Sequence, residues 1–326
     1  MAKDARGLYQ ETVPGVASWM LCSVAMMVLN KKAIGHFPYE CTLTAVQMLF
    51  SVAVLLCCSR YIYIGSMADF FRWCLVTPFF SGMLLTSMLA LKHSSMTLVV
   101  VFRCLSPLLA MPIEWLYPRP LRISMQMLGA MLCMPLGACL YASQLPWDSL
   151  QGASWVFLNM LLAIGDRLLQ RLMLAKEQHP VDISPAAVAL INNVMGFMVV
   201  AAIAVLEGEA PVGPRHLMEL NRESMAYVLL SCLVSVGISY TGVWAQSLIS
   251  ATSFLMLVNA NKFIIIFIEA FWLQQLVINR LQLLGAVLAV GSSVAYGHSR
   301  QRLEQAEVKE ACQACREAAP ILGKLP

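Results

Sequence analysis

The sequence predicts an all-α integral membrane protein with ten transmembrane helices, and three observations carry this prediction. The chain has 326 residues, of which 59% are hydrophobic and only 12% are charged, whereas soluble domains carry about 25% charged residues. Apolar runs recur along the whole chain, and they are long enough to cross a bilayer core of about 30 Å, which takes roughly 20 helical residues. Polar or proline-rich joints separate these runs, and they read HFPYE, KHSS, YPRP, QLPWD, KEQHPVDISP and EGEAPVGPRH.

Each span takes its bounds from the joints on either side of it. The stretch DISPAAV gives the clearest start, because Ser184 can cap the free amides and Pro185 suits the first helical position. In chain order the spans are expected at 14–34, 40–58, 70–91, 95–116, 121–141, 152–174, 185–206, 225–246, 250–272 and 280–298. Residues 1–13 and 299–326 are expected to be cytosolic tails on either side of one ten-helix domain, 14–298.

The distribution of Lys and Arg predicts that both termini are cytosolic, since loops rich in these residues stay on the cytosolic side. With that orientation the cytosolic side holds fourteen basic residues and the opposite side holds six. Arg167 and Arg171, near the end of the sixth span, are counted on the cytosolic side.

The fourth span of each half carries one cation near its middle and a glutamate further on. These residues are Arg103 and Glu114 in the fourth span, and Lys262 and Glu269 in the ninth. The two halves, about 14–141 and 152–298, would be inverted repeats, because an odd number of helices reverses the direction of the second half. Such repeats suit alternating access to a site near the bilayer midplane.

The two mid-span cations predict an internal polar site. A cation at the bilayer centre costs roughly 2.5–3.5 kcal/mol unless it faces the bundle interior or a water-filled cavity. An ion pair with Glu114 is the alternative for Arg103. For Lys262 the alternative is an ion pair with Glu269, which lies seven residues or about 10 Å further along the same helix. Because Arg and Lys are natural binders of phosphate, the pair favours a cavity for a phosphorylated ligand.

Amide side chains lie in two of the predicted spans. Asn192 and Asn193 are adjacent, so they point about 100° apart on a helix. Each could bond a neighbouring helix or read the edge of a base, and the sequence leaves both readings open. Asn259 and Lys262 are three residues apart and share a helix face, which favours a cavity lining. Ser239, in the eighth span, either bonds its own helix or faces the same cavity.

No catalytic, metal-binding or nucleic-acid-binding pattern is found in the sequence. The five histidines form no HExxH arrangement, and neither GxSxG nor a phosphate-binding Walker loop occurs. The CQAC stretch, with Cys312 and Cys315, has no second ligand pair. The net charge is +4, without a basic tract interleaved with aromatic residues. The sequence therefore predicts a protein that is not an enzyme and that uses no metal or cofactor.

Five short stretches carry a resemblance to a known family. LINN, residues 190–193, resembles the FYNN of its helix 7, and VNANK, residues 258–262, resembles the GALNK of its helix 9. The ISY of the family's helix 8 is intact at Ile238, Ser239 and Tyr240. The cationic FK of its helix 4 appears as FR, at Phe102 and Arg103. The asparagine–lysine pair that closes its first helix is present as Asn30 and Lys31. Over roughly 14–298 the chain resembles nucleotide-sugar transporters of the drug/metabolite transporter superfamily, most of all the GDP-mannose transporters of the Golgi.

The resemblance implies a role for each of these positions. The guanine would contact Asn192, Asn193 and Ser239. The sugar and the diphosphate would face Val258, Asn259, Asn261 and Lys262. The substrate site would be completed by Arg103, Asn30 and Lys31. Gating is expected from the residues themselves: Arg103 and Glu114 are eleven residues or about 16 Å apart, so each is expected to pair with a charge from the other half and to open and close one side. Glu269 is expected to gate in the same way.

The chain departs from the family pattern in both asparagine motifs. Leu190 and Ile191 replace the aromatic pair of FYNN, and Val258 stands where GALNK has glycine. Because glycine lets a ligand approach a helix closely, the change at Val258 leaves the sugar open, with mannose favoured. Phe263 follows Lys262, whereas the related plastid sugar-phosphate carriers have a Lys-Arg pair there.

The resemblance implies an antiporter in the Golgi membrane, or in another endomembrane, that carries a GDP-sugar into the lumen in exchange for GMP by alternating access. Its partners would be the nucleotide sugar, the nucleoside monophosphate and the lipid bilayer, and a homodimer stays open. The alternatives are a UDP-sugar or sugar-phosphate exchanger and a membrane scaffold of the same fold that does not transport. An integral-membrane glycosyltransferase would need paired carboxylates at an aqueous face, which the sequence does not show.

Overall fold

The computed structural model of the chain is built from α-helices and describes residues 2–93, 96–120, 122–143, 152–176, 178–267 and 279–322. The helices in these ranges are α1 (Ala2–His36), α2 (Glu40–Cys57), α3 (Met67–Cys74), α4 (Thr77–His93), α5 (Met96–Glu114), α6 (Met125–Ala142), α7 (Ala153–Leu174), α8 (Pro185–Leu206), α9 (Gly213–Met218), α10 (Arg222–Leu248), α11 (Ala251–Phe267) and α12 (Arg280–Leu322). The one extended pairing within the same ranges is an isolated bridge between Ile64 and Ile183.

Six of these helices are long and apolar enough to cross a membrane. They are α1 from Glu11, α2, α6, α8, α10, and α12 as far as Leu303. The other long helices, α4, α5, α7 and α11, each overlap a predicted span. The all-helical, multi-pass membrane class is therefore confirmed, while the count of ten spans and the orientation of the termini stay predictions.

The third predicted span is wrong at its start, where two helices replace one. α3 ends at Cys74, and α4 begins at Thr77. Pro78 explains the break, because a proline has no N–H to donate to the carbonyl four residues back, here that of Cys74, and its ring clashes with that carbonyl. The short α3 is capped by Ser66, whose side chain accepts a hydrogen bond from the backbone N–H of Asp69.

The two predicted tails continue the neighbouring helices. α1 begins at Ala2, and α12 ends at Leu322. The extension of α12 follows from its composition, because Glu, Gln, Ala, Lys and Arg are strong helix formers. The membrane side on which both ends lie stays a prediction.

Arg167 and Arg171 lie inside α7 and not in the loop after it. Arg171 is 8% exposed, and its Nη1 donates to the carbonyl of Ser247 at 2.8 Å. Arg167 lies beside Asp166, with 3.6 Å between Nε and Oδ2. Because both guanidinium groups have partners inside the fold, neither residue reports on the orientation of a loop.

The long helices pair across the two halves in a symmetric pattern. In chain order, α1, α2, α4, α5 and α6 of the first half correspond to α7, α8, α10, α11 and α12 of the second half. The contact of α1 with α10 then corresponds to that of α7 with α4, and the contact of α2 with α10 corresponds to that of α8 with α4. The pairs α2 with α8, α5 with α11 and α6 with α12 join corresponding helices. When each helix is exchanged for the corresponding helix of the other half, the same set of contacts results. This pattern is consistent with a repeat of five long helices, whereas the inverted orientation of the halves stays a prediction.

α6 and α12 cross with their backbones in close contact at two glycines. A Cβ atom on Gly285 would lie 2.6 Å from the backbone N of Tyr141 and 2.7 Å from the carbonyl O of Gly137. A Cβ atom on Gly137 would lie 2.8 Å from the backbone N of Ala289. Only glycine allows this approach, so these two residues set the distance between the last helices of the two halves.

Candidate functional site

The Arg103 side chain on α5 is held by amide and hydroxyl groups of other helices. Its Nη2 donates to Oδ1 of Asn159 at 2.9 Å and to Oγ of Ser87 at 3.4 Å. The Asn159 amide in turn donates to the Met83 carbonyl at 2.8 Å. Glu114 takes no part in these contacts, so the internal ion pair considered from the sequence is not formed. Nε of Arg103 is buried without a hydrogen bond to any described residue.

The backbone at Arg103 explains why Asn259 lies where it does. Pro107 has no N–H, so the Arg103 carbonyl four residues earlier lacks its usual helical donor. Nδ2 of Asn259 on α11 donates to this carbonyl at 2.7 Å, and the Ser106 hydroxyl donates to it as well. Asn259 is 2% exposed. Its amide therefore ties α11 to α5 and compensates for the proline.

We expect Asn259→Ala to destabilise the fold by about 0.5–1.5 kcal/mol, because it removes one of the two side-chain donors to the Arg103 carbonyl. Pro107→Ala restores an N–H that can bond the same carbonyl. Asn259→Ala should therefore cost less in the Pro107→Ala background. The thermal midpoints of the four proteins in detergent measure the difference. Equal costs in both backgrounds would contradict this role of the Asn259 amide.

The side chain of Lys262 points toward the space between α1 and α5, which we call the gap. At about 100° per residue, its direction falls between those of Val258 and Asn259. Val258 packs on the cluster around Trp19 of α1, while Asn259 faces α5. Nζ of Lys262 is buried, and no described residue hydrogen-bonds to it. Asn259, three residues before Lys262, bonds the carbonyl of Arg103. Two basic residues thus lie at the contact of α5 and α11, which favours an anion in this gap.

Asn261 points toward α1 rather than toward Arg103. Its Nδ2 donates to Oγ of Ser23 at 2.6 Å. Its Oδ1 is buried without a hydrogen bond from the described residues. The residues of VNANK therefore divide between α1, the gap and α5, because successive helical residues point in different directions.

The two amides of LINN have different partners. Oδ1 of Asn192 accepts a hydrogen bond from the indole Nε1 of Trp73 at 3.2 Å. Nδ2 of Asn193 donates to the Ala189 carbonyl at 2.7 Å, and its Oδ1 accepts from Ser239 of α10 at 3.4 Å. The structure thus brings Asn193 and Ser239 together and places Asn192 against α3. The sequence offered no signal for Trp73, because its contact spans 119 positions.

Asn30 belongs to a polar cluster among α1, α2 and α10. Nε2 of Gln47 donates to Oδ1 of Asn30 at 2.8 Å and to Oγ of Ser231 at 2.9 Å. Ser51 and Ser235 continue the cluster, with 3.0 Å between their hydroxyl oxygens. Gln47 and Ser51 in α2, like Ser231 and Ser235 in α10, are spaced by four residues, and this spacing is the sequence signal for the cluster. The cluster was not identified from the sequence.

Two of the predicted residues have no described side chain. The backbone of Lys31 lies in α1, and Glu269 lies outside the described residues. The roles expected for them stay predictions.

Glu114 holds the first turn of α11. Its Oε1 accepts from the backbone N–H of Ala251 at 2.8 Å, and its Oε2 from that of Thr252 at 3.0 Å. These amides are free donors at a helix N-terminus, where the helix dipole also favours a carboxylate. The partner from the other half is thus a helix end and not the charged side chain expected from the sequence.

A second contact strengthens the end of the molecule that holds Glu114. The hydroxyl of Tyr117 donates to the carbonyl of Leu168 on α7 at 2.6 Å. Burial raises the pKa of Tyr117, and the negative charge of Glu114 raises it further. The phenol therefore stays protonated and remains a donor. The segment after α5 is consequently fastened to both α11 and α7.

α7 carries a polar face that sequence reasoning did not identify. Asn159, Asp166 and Gln170 are spaced by seven and four residues, and each is at most 1% exposed. Oδ1 of Asp166 accepts from Nε2 of Gln170 at 2.8 Å, while its Oδ2 has no hydrogen-bond partner among the described residues. Their spacing, which places them on one helix face, could have revealed this face.

An apolar groove between α4 and α8 is separate from these polar side chains. Its volume is about 360 Å³, and seven apolar residues line it, from Leu85 on α4 to Leu206 on α8. It has no group to orient a polar ligand. The candidate site is therefore the gap that Lys262 faces, with Arg103 on the adjoining helix α5.

Comparisons with known proteins find similar protein sequences and similar solved structures. GDP-fucose transporter 1 of Arabidopsis thaliana is 26% identical over 269 residues, which cover 78% of this chain and 76% of that protein. GDP-mannose transporter GONST3 of Arabidopsis thaliana is 25% identical over 272 residues, with 80% and 72% covered. One crystal structure shares the fold, with a TM-score of 0.62, 16% identity, and 91% and 99% covered. No protein-family model matches the chain.

Proposed function

Since the chain is related to nucleotide-sugar transporters, we propose that it exchanges a GDP-sugar for GMP across the Golgi membrane or another endomembrane. It is a multi-pass membrane protein and not an enzyme. The two named relatives differ in their sugars, fucose and mannose, but share the guanine nucleotide. This common feature supports GDP more strongly than either sugar, and mannose stays favoured from the resemblance.

The observation that carries the proposal is the buried ammonium of Lys262. No described residue hydrogen-bonds to it, and Arg103 is a second basic residue at the contact of α5 with α11. An unpaired cation at the bilayer centre costs roughly 2.5–3.5 kcal/mol. A phosphate in the gap would offset this cost, because both side chains form strong charge-assisted hydrogen bonds with phosphate oxygens. The protein would therefore be most stable with an anionic substrate in place.

Alternating access would use the contact between α5 and α11. Glu114 fastens the first turn of α11, whereas Lys262 lies eleven residues or about 16 Å deeper. Release of the Glu114 carboxylate would let α11 move from α5 at that end without disturbing the cations. We assign gating to Glu114 on this basis, and to Glu269 from its corresponding position in the ninth span.

The base would be selected at Asn192, Asn193 and Ser239. A guanine edge offers an acceptor carbonyl beside ring and exocyclic donors, and a carboxamide can answer both kinds. A site built to hydrogen-bond such groups rejects bases that lack them, because its buried polar atoms would be left unpaired. The VNANK stretch would face the sugar, with Val258 in the position of the family glycine.

We expect the double variant Asn192→Ala with Asn193→Ala to lose at least about tenfold of its preference for GMP over UMP, because buried hydrogen bonds of about 1.5 kcal/mol are lost. The measurement is competition by GMP, UMP and AMP for exchange. Trp73→Phe is the matched control, because it breaks the Asn192 contact and leaves both amides in place. It should lower the thermal midpoint and keep the guanine preference. A double variant that still prefers GMP would show that these amides only hold helices together.

The proposed function is tested with purified protein in liposomes. The vesicles are loaded with GMP, UMP or AMP, and uptake of labelled GDP-mannose, GDP-fucose and a UDP-sugar is followed. We expect rapid uptake of a GDP-sugar into GMP-loaded vesicles only. Uptake of the UDP-sugar into UMP-loaded vesicles would overturn the guanine assignment. Absence of flux under every condition would favour a membrane scaffold that does not transport.

A further inference from the structure

The Asp166–Arg167 pair of α7 has no role in the site described so far. Asp166 is fully buried, and its Oδ2 lies 3.6 Å from Nε of Arg167. This separation is longer than a hydrogen bond, and Oδ2 has no other partner among the described residues. The pair is therefore electrostatic and loosely held, and the guanidinium keeps its donors for another acceptor.

Arg167 lies beside the same helix as Lys262. Its Cζ is 5.0 Å from the ring centroid of Phe254, an attractive arrangement for a cation. Phe254 precedes Lys262 by eight residues, or about 12 Å along α11. Arg103, from α5, bonds Asn159 of α7 through its side chain and Asn259 of α11 through its carbonyl. Three basic residues from α5, α7 and α11 thus lie where these three helices pack together.

The charges of this group do not balance. Arg103, Lys262 and Arg167 are basic, and Asp166 is the carboxylate in contact with one of them, Arg167. Glu114 is already bound to the first turn of α11. The excess of two positive charges matches a nucleoside monophosphate, which carries about −1.5 to −2. The diphosphate of a nucleotide sugar, with one charge on each phosphate, matches it as well.

We propose that Arg167 binds a phosphate of the transported nucleotide, and that Asp166 is its counter-ion while the site is empty. The inference rests on the proposed function, because it takes the ligand to be a nucleotide. A planar guanidinium can bind two phosphate oxygens at once. The contact of Arg167 with Asp166 does not use this forked geometry, so a phosphate would be the better acceptor. Asp166 and the incoming phosphate would compete for the same cation.

This competition predicts opposite effects for two neighbouring substitutions. Arg167→Gln removes the cation and should raise the GMP concentration for half-maximal exchange about tenfold or more, the loss of one charged hydrogen bond. Asp166→Asn keeps the shape, removes the competing charge and should lower that concentration several-fold. Arg72→Gln, an exposed change on α3, is the control and should leave it unchanged.

The measurement uses full-length protein in liposomes, with exchange followed over a range of GMP concentrations and the thermal midpoint of each empty variant recorded. Opposite shifts with similar thermal midpoints support the proposal. Shifts of both variants in the same direction would assign the pair a structural role and overturn it. An unchanged Arg167→Gln beside an active unmodified protein also overturns it and leaves the proposed function intact. Failure of the unmodified protein to exchange any nucleotide overturns the proposed function, and this inference with it.

Discussion

Lys262→Ala is expected to abolish exchange while the protein remains folded. Loss of one partner from a buried charge pair costs about 2–5 kcal/mol in binding, which corresponds to a decrease of about 30-fold or more. The fold should not suffer, because Nζ of Lys262 has no hydrogen bond to any described residue. Exchange of labelled GDP-sugar for GMP and the thermal midpoint in detergent are the two measurements.

Two further variants separate the role of the charge from that of its shape. Lys262→Arg keeps the charge but presents a forked guanidinium to a site shaped for a compact ammonium, so exchange should also fall. Lys176→Ala, at an exposed position after α7, should leave exchange unchanged. Full activity of Lys262→Ala would contradict a phosphate role. A loss of stability by about 3–5 kcal/mol would show that Lys262 has an internal partner instead.

Gly285→Ala is expected to destabilise the fold by about 3 kcal/mol, at the upper end of overpacking costs. The added Cβ would lie 2.6 Å and 2.7 Å from two backbone atoms of α6, which cannot turn aside as a flexible side chain can. α6 and α12 would have to separate along their whole contact. The thermal midpoint in detergent should fall accordingly.

Gly291→Ala on the same helix is the matched control for Gly285→Ala. A Cβ atom there meets nothing within 4 Å. The change should therefore be neutral or stabilise the helix by up to about 1 kcal/mol, the difference in helix propensity. Equal thermal midpoints for the two variants would contradict the close contact of α6 and α12.

Helix positions were largely predictable from the sequence, because a chain in lipid must satisfy each backbone N–H and C=O within its own segment. The information needed is then local. The cap at Ser184 and the first-turn position of Pro185 were predicted from adjacent residues and are confirmed. The wrong start of the third span also has a local cause, because Pro78 alone predicts the break between α3 and α4.

Chemical character was predictable, but partners were not. Arg103, Lys262, Asn192 and Asn193 were singled out because polar groups are costly in lipid. Which atom each one contacts depended on residues far along the chain. The Arg103 carbonyl meets the amide of Asn259, 156 positions later. Asn192 meets Trp73, and Glu114 meets the N-terminus of α11.

The sequence by itself determined a helical membrane protein with cations and amides in its interior, because apolar length and the cost of buried polarity are properties of single segments. Only the tertiary structure decided which face of each helix meets which neighbour. The pair Asp166 and Arg167 shows the difference. From the sequence, Arg167 was assigned to the cytosolic side and Asp166 was not identified, yet Asp166 lies buried and Arg167 half-buried in α7. The rotation and depth of a helix are set by close packing against its neighbours, and that packing involves residues that lie far apart in the chain.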